Sequence, residues 1–127
     1  MCTTEAPIHQ AIKEKIVTST EQDTVHIFRT MHNTARVYKN RISQKVVEIE
    51  RRPGGAKFED VRDLVSGARG RLVYETGDSD AGIWSAGVTV GLIKDIPSCK
   101  ELLTRIEREA EEIIEKLANL RIERSKL

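Results

Sequence analysis

The first nine residues limit what this chain can fold into more than any later segment. Met1 and Cys2 are residues of the buried type, Thr3 and Thr4 suit the exit of a strand, and Pro7 suits the first turn of a helix. A strand needs a neighbouring strand to pair with. We therefore expect a strand–loop–helix junction here, with the partner sheet in sequence outside these 127 residues.

Apolar residues at helical spacing predict three short helices in the first half of the chain. They recur over residues 7–19, 40–50 and 58–67, with charged residues on the opposite face in the first of these. Pro53-Gly54-Gly55 breaks the pattern after the second helix. Residues 72–74 are too few to assign.

Two runs that are rich in β-branched and aromatic residues predict one β-hairpin. Residues 24–29 and 34–38 flank the polar stretch Met31-His32-Asn33, which suits a turn. A lone hairpin is marginally stable, so one of its faces must be covered by other elements.

Residues 81–93 are small and apolar, and their periodicity fits a buried helix or a strand equally well. The length of the run favours a helix. Its glycines, Gly82 and Gly87, would let the backbone approach another surface closely. That surface is either a neighbouring helix, which we favour, or a flat ring system.

The last helix is predicted over residues 98–123. Ser98 and Glu101 have the spacing of a capping box, in which each side chain accepts a hydrogen bond from the backbone amide of the other residue. One apolar stripe follows, formed by Leu102, Leu103, Ile106, Ala110, Ile113, Ile114, Leu117 and Leu120. Such a helix must dock on another surface.

Charge and cysteine content exclude several classes of protein. The net charge of +1 gives no global attraction to nucleic acid or to anionic lipid. A local basic excess comprises Arg29, Arg36, Lys39, Arg41, Lys45, Arg51 and Arg52. It indicates either a phosphate-contacting surface or, as we favour, a solvated helix face. Two dispersed cysteines and the lack of a long apolar run or signal peptide predict a cytoplasmic protein.

Few residues suggest chemistry by themselves. His9, His26 and His32 match no zinc spacing, so we predict no metal site. Cys2 is either a nucleophile with His9 as its partner or, as we favour, a packing residue. Glu5 is either a cap on backbone amides, which we favour, or a ligand of a bound molecule at the mouth of a barrel.

Several segments together resemble one flavoenzyme family. They are Met1-Cys2-Thr3-Thr4-Glu5-Ala6-Pro7-Ile8-His9, Asp23-Thr24-Val25, Asn33-Thr34-Ala35-Arg36-Val37, Asn40, and the run from Ile83 to Ile93. In this order they are similar to the C-terminal part of the nitronate monooxygenases, the 2-nitropropane dioxygenase-like flavoproteins. Relatives of that family include the FMN-dependent enoyl-acyl-carrier-protein reductases.

The resemblance implies an α/β fold, namely the C-terminal segment of a TIM (β/α)8 barrel with a small helical and hairpin subdomain. This chain would be mostly α-helical, with the hairpin near residues 24–38. Residues 1–60 would hold the end of the last barrel strand and the small subdomain. Residues 61–127 would be a helical part that packs on the barrel.

The resemblance also implies a function, which is the oxidation of alkyl nitronates by O2 to a carbonyl compound and nitrite, with FMN as cofactor. The family's phosphate-binding turn and catalytic histidine have no counterpart here, so no catalytic residue is assigned and the segment alone should be inactive. Trp84 and Ser85 are candidates for the wall of the substrate pocket. The expected partner is the rest of the barrel or a second copy in a homo-oligomer, and neither nucleic acid nor membrane is expected.

Two other functions stay open. The chain could instead belong to an FMN-dependent enoyl-acyl-carrier-protein reductase within the same fold. It could also be a non-catalytic helical module that docks on a partner through its apolar stripe and hairpin. Retention of a flavin would separate the enzyme from the docking module.

Overall fold

The computed structural model describes residues 1–124, with side chains through Leu120. The described chain forms two compact units. The first comprises Met1–Cys2 and Ala6–Ile96, and the second comprises Thr3–Glu5 and the chain from Pro97 onward.

The first unit contains four helices and one antiparallel hairpin. In chain order these are α1 (Gln10–Val17), β1 (Thr24–Ile27), β2 (Ala35–Tyr38), α2 (Arg41–Glu50), α3 (Phe58–Val61) and α4 (Gly67–Thr76). Three short 3-10 turns lie between them, at Glu21–Asp23, Arg29–Met31 and Val88–Leu92. The prediction of a mostly helical chain with one hairpin is therefore confirmed, whereas the parent barrel stays a prediction. So does the division at residue 60.

The predicted hairpin is present, and its turn is held by a buried carboxylate. Thr24 pairs with Tyr38 and Ile27 with Ala35 across β1 and β2. Glu50, at the end of α2, accepts hydrogen bonds from the backbone amides of Phe28 (2.9 Å) and Thr30 (3.1 Å). These bonds satisfy two amides of the turn, while the amides of Met31, His32 and Asn33 donate to carbonyls within it.

The helices α1 and α2 lie within the predicted segments because local caps define their ends. His9 caps α1 through its Nδ1, which accepts a hydrogen bond from the Ala11 amide at 3.2 Å. Asn40 and Ser43 form a reciprocal capping box at the start of α2, with bonds of 2.8 and 2.9 Å.

One helix prediction is wrong in part. The helix predicted over residues 58–67 is only the single turn α3, and α4 begins at Gly67, where we expected an end. The segment 72–74 lies within α4 and buries Val73 completely. Only Val73 of α4 is buried, so the helix carries a weak amphipathic signal and its sequence pattern does not reveal it.

The helix predicted over residues 81–93 is also wrong. Residues 83–87 are extended, Ser85 forms an antiparallel bridge with Val37, and a 3-10 turn follows at Val88–Leu92. The physical reason is a tertiary contact, since the Tyr38 amide donates to the Trp84 carbonyl at 2.9 Å. The segment thereby pairs with the free edge of β2. This tertiary pairing overrides the helix that the length of the apolar run favours.

The strand end predicted at Met1 and Cys2, with its exit at Thr3 and Thr4, is not formed among the described residues. Thr4 and Glu5 lie in a turn, and no other segment of residues 1–124 pairs with Met1 or Cys2 as a strand. Because the prediction placed the partner sheet outside these residues, the barrel strand itself stays a prediction.

Two apolar clusters form the core of the first unit. One gathers Ile12, Ile16, Tyr38, Val73, Trp84 and Val90. The other packs the hairpin on α2 and α3 through Ile27, Val37, Val46, Ile49 and Val61. The buried residues of the second cluster are all aliphatic, whereas the first also contains two of the chain's five aromatic residues.

The second unit is dominated by α5 (Cys99–Arg124). Its predicted capping box is confirmed, because Glu101 Oε2 accepts from the Ser98 amide at 2.7 Å and Ser98 Oγ accepts from the Glu101 amide at 3.2 Å. Most of the predicted apolar stripe is exposed, including Leu103, Ile106, Ile113, Ile114, Leu117 and Leu120. No helix within the described residues is long and apolar enough to cross a bilayer.

Candidate functional site

The two predicted pocket residues, Trp84 and Ser85, lie on one small cavity of about 170 Å³ in the first unit. Its wall is almost entirely apolar or made of small residues. The other lining residues are Met1, Cys2, Ile16, Ala86, Gly87, Thr89, Val90 and Ile93. We call this cavity the Trp84 pocket. Residues 1–2 and 84–93 are far apart in sequence, so only the fold brings these two sides together.

Trp84 is a core residue that also contributes to the pocket wall. Its side chain is 3% exposed and stacks on Tyr38, with ring centroids 4.3 Å apart. The indole Nε1 donates to the Ser79 carbonyl at 3.3 Å, which satisfies its polar group. Trp84 therefore shapes the pocket and has no polar atom left to act on a ligand.

Ser85 is one of the two described residues, with Thr89, whose hydroxyl groups this wall offers to a ligand. Its residue is exposed, and its hydroxyl forms no hydrogen bond within the part of the chain that the structure describes. A hydroxyl can both donate and accept, so Ser85 can hydrogen bond to an oxygen of a small molecule in the pocket.

Asn40 fixes the loop that leads into this wall. Its side chain is 5% exposed, and its Nδ2 donates to the carbonyls of Ser79 (2.6 Å) and Gly82 (2.7 Å). The same side chain caps α2, as described above. The side-chain amide of Asn40 therefore connects the loop at residues 79–82 to the start of α2. The sequence alone did not indicate this contact.

The small-residue run packs on a helix, as we favoured. A Cβ atom on Gly82 would lie 2.5 to 2.8 Å from backbone atoms of Arg69 and Gly70 in α4. Gly82 is thus required for close approach of the loop to α4. Gly87, in contrast, faces open space apart from Thr89 Oγ1 at 3.5 Å, and it lines the pocket.

Cys2 lies in the pocket wall as a protonated packing residue. Its Sγ contacts the carbonyls of Asp95 at 3.5 Å and Lys13 at 3.8 Å. Burial raises the pKa of the Cys2 thiol, which disfavours the thiolate that a nucleophile needs. His9 caps α1 instead of activating this thiol. The packing interpretation of Cys2 is therefore confirmed.

Glu5 is a cap in the second unit, as we favoured. Both of its carboxylate oxygens accept from the Cys99 amide, at 2.9 and 3.0 Å, at the first turn of α5. Hydrogen bonds from its own amide and from the Cys99 amide hold the pKa of Glu5 below its usual range. A carboxylate at a helix N-terminus also interacts favourably with the helix dipole.

The histidines do not come together with other metal-binding side chains. Among the described residues no three His, Cys, Asp or Glu side chains are grouped as a metal site would require. His26 lies on β1 opposite Arg36, and His32 lies in the hairpin turn.

The basic excess of the sequence is divided between two larger cavities of the first unit. Lys39, Arg41 and Lys45 line an open, polar cavity of about 860 Å³. A second cavity of about 420 Å³ is lined by Arg29, Arg36 and Arg51, among others. Arg52 lines neither of them. The larger cavity also contains Asp23, Glu48 and Asp80, which offset its positive charge.

Comparison with known proteins agrees with the resemblance that the sequence suggested. The family model described as nitronate monooxygenase matches residues 1–109. FabK from Thermotoga maritima is similar in structure, with a TM-score of 0.81 and 28% sequence identity over 93% of this chain. A mutant of the same FabK gives a TM-score of 0.74 and 27% identity over 93% of the chain. The chain spans only 36% and 34% of the length of these two structures.

Proposed function

Because this chain belongs to the nitronate monooxygenase family, we propose that it is part of an FMN-dependent oxidoreductase that oxidises alkyl nitronates. In this reaction O2 oxidises the nitronate, and a carbonyl compound and nitrite are formed. The observation that carries the proposal is the family match itself, which extends over every residue of the Trp84 pocket.

The Trp84 pocket is proposed to form one side of the substrate site. A small alkyl nitronate has a short apolar chain and two oxygen atoms that share a negative charge. The apolar wall, including Ile16, Ala86 and Val90, suits the alkyl chain. The Ser85 hydroxyl is proposed to donate a hydrogen bond to a nitronate oxygen, and thereby to orient the substrate.

The residues described here do not fit FMN as a whole. The Trp84 pocket has no cationic side chain for a phosphate, and its volume of about 170 Å³ is smaller than that of sites enclosing a ligand of this size, which are typically about 300–1,000 Å³. The flavin is therefore proposed to bind mainly to the part of the enzyme that corresponds to the unmatched length of FabK.

A second candidate reaction is the reduction of an enoyl thioester on acyl carrier protein. It is kept because both structural neighbours are FabK structures, and FabK belongs to the same group of flavoproteins as the nitronate monooxygenases. The two reactions differ in their substrates, and either substrate would contact the pocket wall around Ser85.

The exposed stripe of α5 is proposed to be covered by the rest of the barrel or by a second copy of the chain. Leu103, Ile106, Ile113, Leu117 and Leu120 are each more than half exposed, which is costly for apolar side chains in water. The same stripe would serve the non-catalytic docking module, so exposure alone does not separate the two functions.

The experiment that tests the proposal begins with this chain and added FMN. We expect a colourless protein that is oligomeric by light scattering, because the flavin site needs further residues. A yellow, stoichiometric complex would overturn the assignment of FMN to the rest of the enzyme.

The substrate is tested in the complete flavoenzyme. Oxygen consumption with propyl nitronate is compared with NADH oxidation in the presence of an enoyl thioester. We expect nitronate turnover, and Ser85→Ala is expected to raise KM more than it lowers kcat. Turnover of the thioester alone would favour the reductase, and turnover of neither would favour the docking module.

A further inference from the structure

A cavity of about 420 Å³ between the hairpin and α2 has an unusually basic lining. Three arginines, Arg29, Arg36 and Arg51, line it together with His26. They come from three separate elements: the hairpin turn, β2 and the end of α2. We call this cavity the arginine cavity.

Among the described residues that line the cavity, Glu50 is the one carboxylate, and it already accepts several hydrogen bonds. Glu50 is 8% exposed, and its oxygens accept hydrogen bonds from Phe28, from the Thr30 amide and from the Thr30 hydroxyl. Three arginines and one glutamate leave the lining with a formal charge of +2 when His26 is neutral. Glu50 is held on the turn by these hydrogen bonds, and among the described side chains it forms no ion pair with Arg29, Arg36 or Arg51.

The backbone that carries Arg29 is fixed in advance. Arg29 lies between Phe28 and Thr30, and both of their amides are bonded to Glu50. Phe28 has a φ angle of 62°, a left-handed conformation that is costly for a side chain of this kind. Such strain persists only where surrounding contacts hold it, and here those contacts place Arg29 at the edge of the cavity.

The other two arginines are placed by their own elements. Arg36 donates from Nη1 to Thr24 Oγ1 at 2.9 Å, across the hairpin. Arg51 is the C-cap residue of α2. Neither Arg29 nor Arg51 has a hydrogen-bond or ion-pair partner among the side chains described through residue 120. Two guanidinium groups therefore keep all of their donors for a ligand.

We propose that the arginine cavity binds a phosphate group carried by a small organic molecule. A phosphate monoester carries about −1.5 to −2 charge near neutral pH and offers three acceptor oxygens, which matches several guanidinium groups better than a single carboxylate does. Val25 and Val47 also line the cavity and give an apolar surface for the organic part. The proposal goes beyond the oxidoreductase function and does not depend on FMN.

The directly opposed positions on the hairpin support this assignment. His26 and Arg36 face each other in the register of β1 and β2, with no acidic residue opposite either of them. Two basic side chains thus face each other across the hairpin, and a bound phosphate could accept hydrogen bonds from both of them.

The test is a titration of the full chain with inorganic phosphate and with AMP, at constant ionic strength, followed by NMR of the arginine side chains. We expect saturable shifts at Arg29, Arg36 and Arg51. Tighter binding of AMP than of inorganic phosphate would show that the apolar wall contributes. Equal affinity for the two ligands would mean that the cavity recognises the phosphate group alone. It would overturn the proposal that the organic part of the ligand is also bound.

Matched variants test the location of the site. Arg29→Gln and Arg51→Gln remove side chains that have no partner, so neither should disturb folding, and each is expected to weaken binding about tenfold. Arg52→Gln removes the same charge next to Arg51 but outside the cavity, and should leave binding nearly unchanged. Equal loss in all three variants, or no saturable binding by the parent chain, would overturn the proposal.

Discussion

Tyr38 and Trp84 lie nearly parallel, with ring centroids 4.3 Å apart and ring planes inclined by 12°. Their backbones are joined as well, since the Tyr38 amide donates to the Trp84 carbonyl at 2.9 Å. Stacked aromatic pairs add about 0.5–1.5 kcal/mol beyond the burial of their surfaces. This pair therefore connects β2 to the wall of the Trp84 pocket through both side chain and main chain.

Trp84→Ala is expected to lower the free energy of unfolding by about 3–5 kcal/mol, because it removes a buried ring and leaves a cavity. Urea denaturation of the chain measures this change. Ser85→Ala is the matched control at the next position, and it should change stability by no more than about 0.5 kcal/mol because Ser85 is exposed. Similar losses in both variants would contradict the assignment of Trp84 to the core and Ser85 to the pocket surface.

Gly82→Ala is expected to destabilise the chain by about 1–3 kcal/mol, because the new methyl group would overlap the backbone of α4 at Arg69 and Gly70. Gly87→Ala adds the same atom where the nearest neighbour is 3.5 Å away. Its effect should stay within about 0.5 kcal/mol. Thermal unfolding of the two variants, compared side by side, decides whether the close approach is specific to Gly82.

Asp23 should contribute a pH-dependent part of the stability. Hydrogen bonds from the Thr20 amide and then the Thr20 hydroxyl hold the pKa of the Asp23 carboxyl below its usual range. The unfolded chain binds its proton more readily, with a pKa of about 3.9, so the contribution is fully present above that pH. It is lost as the pH falls through the lower pKa of the folded state.

Urea denaturation as a function of pH measures this effect. Asp23→Asn should make the acid limb of the stability curve less steep, because the titrating group is gone. Thr20→Ala keeps the amide donor and removes only the hydroxyl, so it should retain part of the pH dependence. An unchanged acid limb in Asp23→Asn would disprove the contribution.

The two cysteines should differ in their reaction with iodoacetamide. Cys99 is exposed, whereas burial raises the pKa of the Cys2 thiol and reduces its thiolate fraction at neutral pH. We expect Cys99 to be alkylated first, and the rate at Cys2 to rise as the pH increases. Mass spectrometry of the Cys2→Ser and Cys99→Ser variants assigns each rate. Faster labelling of Cys2 at neutral pH would revive its interpretation as a nucleophile.

The elements that the sequence predicts well are those with local signals. Asn40 and Ser98 begin α2 and α5 with side-chain caps that depend on residues three positions away. The hairpin similarly follows from β-branched runs on either side of a polar turn. Because such signals need no long-range contact, they are readable in a single sequence.

The elements that the sequence predicts poorly depend on contacts with residues far away along the chain. The run that contains Trp84 is apolar enough for a helix, but the edge of β2 holds it extended through a contact between residues 46 positions apart. The lining of the Trp84 pocket likewise depends on contacts between distant residues. Trp84 and Ser85 were identified by family resemblance, whereas Met1 and Cys2 join them only through the fold. The positions of the basic residues in the sequence likewise do not indicate that they line two separate cavities.

The wall of the Trp84 pocket is held by main-chain atoms, and this has a consequence for how such a site can evolve. The carbonyls of Ser79, Gly82 and Trp84 accept the bonds that fix the segment, and these bonds do not depend on which side chains follow. Positions 85 and 87 are exposed and can therefore accept new side chains at little cost in stability, whereas Ala86 packs on the first apolar cluster. Substitution at those two positions would change the surface that a small molecule meets while the fold that carries it stays the same.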